Sequence, residues 1–262
     1  SNTAVGTYSL YQNTTGAYNT AVGAFALDAN TTADNSTAIG YNALSNNTSS
    51  GMTAIGSHAL NANTTGGSNN AIGYFSQAST TTGNWNDSYG YETLKDNTTG
   101  SNNTAMGGRS LRTNTTGGSN TAVGYYAMNL NTTGGSNTGV GRGALMTNST
   151  AADNTAVGYY ALLANTTGTR NTAVGKDALR QTTTGSYNTA VGVYTMDANT
   201  TGYDNTAIGY AALVGNTTGG SNTAVGRNAL YTASTAHYNT ACGFEALEKT
   251  TANHNTALGF RA

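Results

Sequence analysis

The amino-acid sequence predicts an all-β fold, a parallel β-solenoid (β-roll) of about sixteen coils with 17 residues in each coil. Three observations support this prediction: a strict repeat, apolar side chains at fixed positions of it, and charged side chains confined to a few other positions. Composition alone favours disorder, since a chain with 35 Gly, no Pro and 8% charged residues has little apolar surface to offset its entropy. The repeat therefore decides the fold class.

A glycine in the recurring string Thr-Ala-Val-Gly marks the repeat, from Gly6 to Gly259. It occurs sixteen times, and of the fifteen intervals thirteen are 17 residues and two are 16. The consensus N-T-A-V-G-x-x-A-L-x-x-N-T-T-G-x-x covers the whole chain, so residues 1–262 are expected to form a single solenoid domain. Positions one to seventeen of the repeat are counted from the Asn before Thr-Ala-Val.

Each repeat predicts one coil. Thr and Val favour strands and Asn-Thr-Thr-Gly supplies turn chemistry, so we expect a strand at Thr-Ala-Val, a second near Ala-Leu, and turns between them. Stacked coils lie about 4.7 Å apart, which pairs each strand with its neighbours. The two shorter intervals lose a residue around Gly51 and His254. A deletion in an exposed turn leaves the strand ladder intact.

Two columns of large apolar residues predict the core. Position four is Val or Ile in most repeats and is never charged, and position nine is Leu or Met in fourteen of fifteen complete repeats, with Gln77 the exception. Of 21 charged residues, 20 fall at positions six, seven, ten, eleven, sixteen or seventeen, and only Asp87 falls elsewhere. We expect those six positions to form solvated turns.

Position three is Ala in fourteen of sixteen repeats, with Ser88 and Gly139 the others. Neighbouring residues on a strand point to opposite faces. If position four faces inward, the Ala column faces outward and a partner packs closely on it, as in a homotrimer around a shared axis. The reverse assignment, with Ala inside a thin coil and Val at the interchain axis, also gives a homotrimer. The third alternative is a monomer whose thin interior needs Ala.

Aromatic residues cluster at positions six and seven, where they form either a stacked edge that covers the core or a stripe that binds carbohydrate or protein. Four of them are the leading contact candidates: Tyr125, Tyr126, Tyr159 and Tyr160. The column also contains Tyr8, Phe25, Tyr41, Tyr74, Phe75, Tyr91, Tyr194, Tyr210, Phe244 and Phe260.

Position twelve is Asn in eleven of fifteen repeats, and each of these residues begins an Asn-x-Ser/Thr sequon. The alternatives are a ladder of amides that bond one another along the solenoid and glycosylation of the Asn or the adjacent Thr. An unmodified intact mass of native protein would exclude the glycans. The residues are Asn13, Asn30, Asn47, Asn63, Asn97, Asn114, Asn131, Asn148, Asn165, Asn199 and Asn216. The two hydroxyl residues that follow raise ice binding as a rival function.

No constellation of residues predicts catalysis, and no metal site or cofactor is expected. His237 and His254 are expected to stack at position sixteen of adjacent coils, and Cys242 is expected to be an inert member of the position-four core column. A net charge of −1 argues against nucleic-acid binding, and no apolar run has the length of a membrane span. The stretch 76–91, which holds Gln77 and the only Trp, Trp85, is either a drifted coil or a specialised one.

At Asn-Thr-Ala-Val-Gly, Ala-Leu and Asn-Thr-Thr-Gly, the sequence resembles repeats of bacterial surface-fibre and phage tail-fibre-like proteins. It is also similar to the head repeats of trimeric autotransporter adhesins, which carry a related Asn-Ser/Thr-Val/Ala-Ile-Gly string, although the present repeat is longer. That resemblance implies a trimeric left-handed β-roll that binds host or matrix surfaces.

Together these patterns favour a non-catalytic structural or adhesive segment of an extracellular, cell-surface or virion-surface fibre, which acts as a rigid rod. Its expected partners are further copies of the chain, as a homotrimer or an end-to-end filament, and surface glycans or a host receptor. The chain is expected to be either part of a longer repeat array or a protomer that stacks on others. The alternative function is a β-solenoid that binds ice or a glycan receptor.

Overall fold

The computed structural model describes residues 1–262, which form sixteen three-residue parallel strands and no helix. The chain divides into two compact units, unit 1 at Ser1–Thr133 and unit 2 at Gly134–Ala262. A single continuous domain stays a prediction. The strands of unit 1 are β1 (Thr3–Val5), β2 (Thr20–Val22), β3 (Thr37–Ile39), β4 (Thr53–Ile55), β5 (Asn70–Ile72), β6 (Asp87–Tyr89), β7 (Thr104–Met106) and β8 (Thr121–Val123). Those of unit 2 are β9 (Thr138–Val140), β10 (Thr155–Val157), β11 (Thr172–Val174), β12 (Thr189–Val191), β13 (Thr206–Ile208), β14 (Thr223–Val225), β15 (Thr240–Cys242) and β16 (Thr256–Leu258).

Within each unit, consecutive strands pair in parallel and like positions of the repeat lie opposite one another. Ala21 of β2 lies opposite Ala38 of β3, and Val22 lies opposite Ile39. The chain therefore completes one coil between consecutive strands. The predicted parallel β-solenoid of 17-residue coils is confirmed. Only the Thr-Ala-Val segment forms a strand; the region near Ala-Leu, where a second strand was expected, consists of turns.

The two 16-residue repeats keep the strand register. β3 and β4 are separated by the first deletion and still pair in the order Thr37 with Thr53 and Ile39 with Ile55. β15 and β16 do the same across the second deletion. The lost residue comes from the turn after position twelve, as expected.

The strands bury position three and expose position four, which corrects the predicted core. Every position-three residue from Ala21 to Ala241 is buried, whereas Val157 is 37% exposed and Ile208 is 43% exposed. The coil is thin, so its interior accepts a methyl group where a Val side chain would not fit. The position-four column is therefore not part of the core. Ala lies inside the coil, as both the reverse assignment and the monomer alternative expected.

Position nine supplies the large core side chains, as predicted. Leu27, Leu60 and Leu179 are fully buried and pack with buried Ala at positions three and eight. In unit 1 these residues form one apolar cluster that runs from Ala21 to Ala71. The core of most coils thus consists of one large and two small apolar residues.

Each coil turns at residues with positive φ, including large side chains for which this conformation is costly. In the second coil these are Phe25 at position seven (φ 60°) and Leu27 at position nine (φ 50°). Hydrogen bonds to both neighbours hold them there: Phe25 N donates to Thr7 O at 2.9 Å, and Leu27 N donates to Ala43 O at 3.1 Å. The stack of coils, not local preference, therefore fixes these turns.

The glycine at position five serves both backbone conformation and coil spacing. Gly209 has a φ of 135°, a region that side chains rarely adopt. A Cβ atom added to it would lie 2.7 Å from Gly226 O of the next coil. The glycine that marks the repeat in the sequence is thus a point of close approach between coils.

Candidate functional surfaces

The asparagines at position twelve lie inside the coil and form a ladder. Asn114 Nδ2 donates to Asn97 Oδ1 of the preceding coil at 2.8 Å and to Gly117 O of its own coil at 2.9 Å. Asn13 is half-buried, and the other ten are fully buried. A glycan on Nδ2 would occupy the position of these bonds inside the stack. The amide ladder is therefore the observed arrangement, and glycosylation at these residues stays a prediction for which intact mass is the test.

Runs of the ladder end where the next coil lacks an amide. The residues one coil after Asn63, Asn165 and Asn216 are Thr80, Thr182 and Ala233. None of these three has a side-chain amide to donate, and the Oδ1 atoms of the three asparagines are buried without a hydrogen-bond partner. An unpaired buried oxygen costs free energy, so these coils are the weaker points of the ladder.

A second asparagine ladder, at position one, was not singled out from the sequence. Asn188 Nδ2 donates to Asn171 Oδ1 of the preceding coil at 3.1 Å and to Gly202 O at 2.8 Å. Its backbone N also donates to Asn171 Oδ1, at 3.0 Å. The signal was present in the consensus, where Asn begins fourteen of sixteen repeats. The position-one ladder therefore lies directly before the strand, and the position-twelve ladder lies at the start of the Asn-Thr-Thr turn.

The aromatic residues at positions six and seven form an edge of ring contacts and cation–π pairs. In unit 1, Tyr8 stacks on Phe25 with ring centroids 5.4 Å apart, and His58 stacks on Phe75 at 4.7 Å. In unit 2, the Arg227 guanidinium lies 5.6 Å from the Tyr210 ring centroid. The stacked edge that the sequence allowed is observed, and many of its rings remain partly exposed to solvent.

The four aromatic candidates form two pairs. The ring centroids of Tyr125 and Tyr126 lie 4.2 Å apart, and those of Tyr159 and Tyr160 lie 4.0 Å apart. Hydrogen bonds from Tyr125 and then from Arg109 lower the pKa of Tyr126. A hydrogen bond with Tyr160 raises the pKa of Tyr159. Their role in binding stays a prediction.

Charged side chains at position seven are less solvated than the sequence predicted. Glu92 and Asp177 are each only 7% exposed. The Glu92 carboxylate accepts from Lys95 Nζ at 2.9 Å, from Arg112 Nε at 3.0 Å and from Arg109 Nε at 3.1 Å. Burial raises the pKa of Glu92, but hydrogen bonds and charges from Lys95 and Arg112 outweigh it and leave this pKa below its ordinary value.

The outer face of the strands carries two parallel columns, Thr at position two and Val or Ile at position four. We call this surface the Thr/Val face; it runs from Thr3 and Val5 to Thr121 and Val123 in unit 1, and from Thr138 and Val140 to Thr256 and Leu258 in unit 2. Its columns are interrupted by Asn70 and Asp87 at position two, and the Asn70 amide donates to the Asp87 carboxylate at 2.7 Å. Because the face is regular and partly apolar, it has the character of a contact surface.

The structure places three other predicted features differently. Cys242 is exposed on the Thr/Val face and is not a core residue. His254 stacks on Tyr238, with centroids 4.9 Å apart, because the deletion moves it one position away from His237. The hydroxyl at position thirteen is turned to the backbone, as in Thr115 Oγ1, which donates to Thr132 O at 3.0 Å. Ice binding by these hydroxyls stays a prediction that thermal hysteresis measurements test.

No group of three or more His, Cys, Asp or Glu side chains is arranged to hold a metal ion. No helix with the length and apolarity needed to cross a bilayer is present. No family model matches the chain, and neither a curated protein nor a solved structure matches it.

Proposed function

We propose that the chain is a non-catalytic structural or adhesive segment of an extracellular, cell-surface or virion-surface fibre, and that copies associate through the Thr/Val face. The single observation that carries this proposal is the exposed apolar column at position four. Exposed apolar surface of this extent is costly in water and is typical of protein–protein contacts. The fibre function also draws on the resemblance to surface-fibre, tail-fibre-like and adhesin-head repeats.

The uneven sizes in the column favour a protein partner over ice. Tyr89, Met106 and Cys242 interrupt the run of Val and Ile. A second protein copy accommodates such variation because the same residues meet around a shared axis. An ice surface is rigid and regular, so it does not adapt to a larger side chain. Self-association as a homotrimer is therefore the interpretation that we favour for this face.

Oxidative cross-linking through Cys242 tests whether copies associate through the Thr/Val face. In an assembly around a shared axis, the Cys242 residues of different copies lie close together on the Thr/Val face. Mild oxidation of the native chain should then give covalent dimers on a non-reducing gel, and native mass spectrometry should give a homo-oligomer. The control is Cys242→Ser/Thr235→Cys, which moves the thiol to an exposed turn and should not cross-link. A monomer in native mass spectrometry, without oxidative dimers, would contradict the proposal.

A further inference from the structure

We propose that unit 2 contains a binding groove for neutral saccharides, walled by Tyr194, Tyr210 and Tyr231. The groove has a volume of roughly 470 Å³. The groove assigns a ligand class to the adhesive part of the proposed function. The biological role of the groove rests on that function. Its residues differ from the four aromatic residues that the sequence singled out.

The groove exists because small residues interrupt the aromatic edge. Position seven carries Tyr194 in one coil and Ala211 in the next, and position ten carries Asp197 and then Val214. Ala211 is 5% exposed and forms part of the floor. The side chains of the coils on both sides are longer, so a depression remains between them.

The walls present aromatic surface to solvent beside two cations: Lys176 Nζ lies over the Tyr194 ring, 5.3 Å from its centroid, and Arg227 lies over the Tyr210 ring. The Tyr194 and Tyr210 rings are nearly perpendicular, with centroids 6.1 Å apart, and Tyr210 is 50% exposed. Lys176 Nζ donates to the Tyr194 hydroxyl at 3.1 Å, which holds this ring in place. Tyrosine combines an apolar face with a polar tip, and a pyranose ring combines an apolar C–H face with hydroxyl groups at its edge. The two surfaces are complementary.

The polar groups of the groove are mostly hydrogen-bond acceptors. Arg180 Nε donates to Asp197 Oδ1 at 2.9 Å, which fixes that carboxylate, while the Glu248 carboxylate makes no ion pair. Asn228 Oδ1 is buried without a hydrogen-bond partner. Both carboxylates can accept from sugar hydroxyls, and the unpaired charge of Glu248 repels acidic sugars. The groove therefore favours neutral saccharides.

Neutral tetrasaccharides of glucose, galactose, mannose and N-acetylglucosamine are the probes, with a sialylated tetrasaccharide as the acidic comparison. Saturation-transfer NMR and calorimetry should detect binding of at least one neutral probe. Tyr210→Ala should weaken that binding about tenfold, the loss expected from removing one aromatic wall. Ala211→Tyr should abolish it by filling the groove, and this variant should fold because Tyr194 and Tyr160 occupy the same position with φ of 58° and 55°.

Tyr41→Ala is the matched control, because Tyr41 occupies position six like Tyr210 and is 49% exposed, but belongs to unit 1. It should leave binding unchanged. No binding of any neutral probe, preference for the sialylated probe, or equal loss in the Tyr41 and Tyr210 variants would overturn the groove. Oxidative cross-linking through Cys242 tests the fibre proposal separately, since failure of the groove leaves the Thr/Val face intact.

Discussion

Two adjacent coils of unit 1 differ in the polarity of their buried side chains. The coil of β4 is apolar inside, with Ala54, Ala59 and Leu60 fully buried. In the next coil, that of β5, Ser76 and Gln77 lie against Ser88 of β6. These three polar residues are also fully buried. The strands on both sides pair in the same register. The comparison shows that the backbone ladder tolerates a polar layer where an apolar one is usual.

The polar layer is accommodated because its donors have acceptors. The two Gln77 Nε2 hydrogens have three acceptors within hydrogen-bond distance: Asn70 O at 2.9 Å, Ser88 Oγ at 2.8 Å and Asn86 O at 3.1 Å. Only Gln77 Oε1 is left without a partner. Ser76, Gln77 and Ser88 therefore form a connected set inside the coil, whereas Trp85 and Tyr89 of the same stretch are exposed.

Leu60→Ala should cause the largest change in stability among the variants of these two coils. It removes the large side chain of the apolar coil, and a buried Leu to Ala change costs about 3 kcal/mol. Stacked repeats unfold locally, so amide hydrogen exchange in the β4 coil is the measurement of choice. Faster exchange should appear there, while protection in unit 2 stays unchanged. Unchanged exchange at the amide of Ala62, which donates to Ala78 O, would contradict the apolar core.

Gln77→Leu should have a smaller and opposite effect. The change removes the unpaired Oε1 and restores the Leu of the column, so we expect a gain of about 1 kcal/mol. Gln77→Ala is the control, because it removes the amide without filling the space and should be destabilising. Denaturation monitored at Trp85, which lies in the same coil, reports both variants. A loss of stability in Gln77→Leu would mean that the polar layer is specifically required.

The smallest effect concerns pH at Glu92, in the coil after the polar layer. The carboxylate has a folded-state pKa below its ordinary value of 4.5, so its stabilisation is present above that value and is lost as the pH falls through the lowered pKa. Acid should therefore increase amide exchange around Glu92 more than around Leu60. In Glu92→Gln this difference between the two coils should disappear. An equal acid response of both coils in the native chain would contradict the role of the ion cluster.

The sequence predicts the fold but not which strand face is inside. The period predicts the register, and position nine predicts the Leu column, because both follow from repetition alone. Alternation on a three-residue strand allows Ala or Val inside, and the apolar character of Val favours the wrong choice. The variation in side-chain size distinguishes the two faces. Position four contains residues as different in size as Tyr89, Met106 and Cys242, whereas position three contains only Ala, Gly and Ser.

Other features lay beyond sequence reasoning. Left-handed turns at Leu27 and Phe25 run against the preferences of these residues, and inter-coil bonds impose them. The stacking of His254 on Tyr238 depends on where in the turn the deletion is absorbed. The saccharide groove depends on Ala211 and Val214 lying beside longer neighbours, which only the stacked coils bring together.

The central claim is that each repeat forms one coil in register with the next, and an electron–electron distance measurement tests it most directly. Spin labels at Thr150→Cys and Thr235→Cys, in a Cys242→Ser background, occupy the same exposed turn of unit 2 five coils apart. At about 4.8 Å per coil, the account predicts a narrow distance distribution near 24 Å. A broad distribution centred on the order of 50 Å, as expected for a flexible chain of that length, would contradict it.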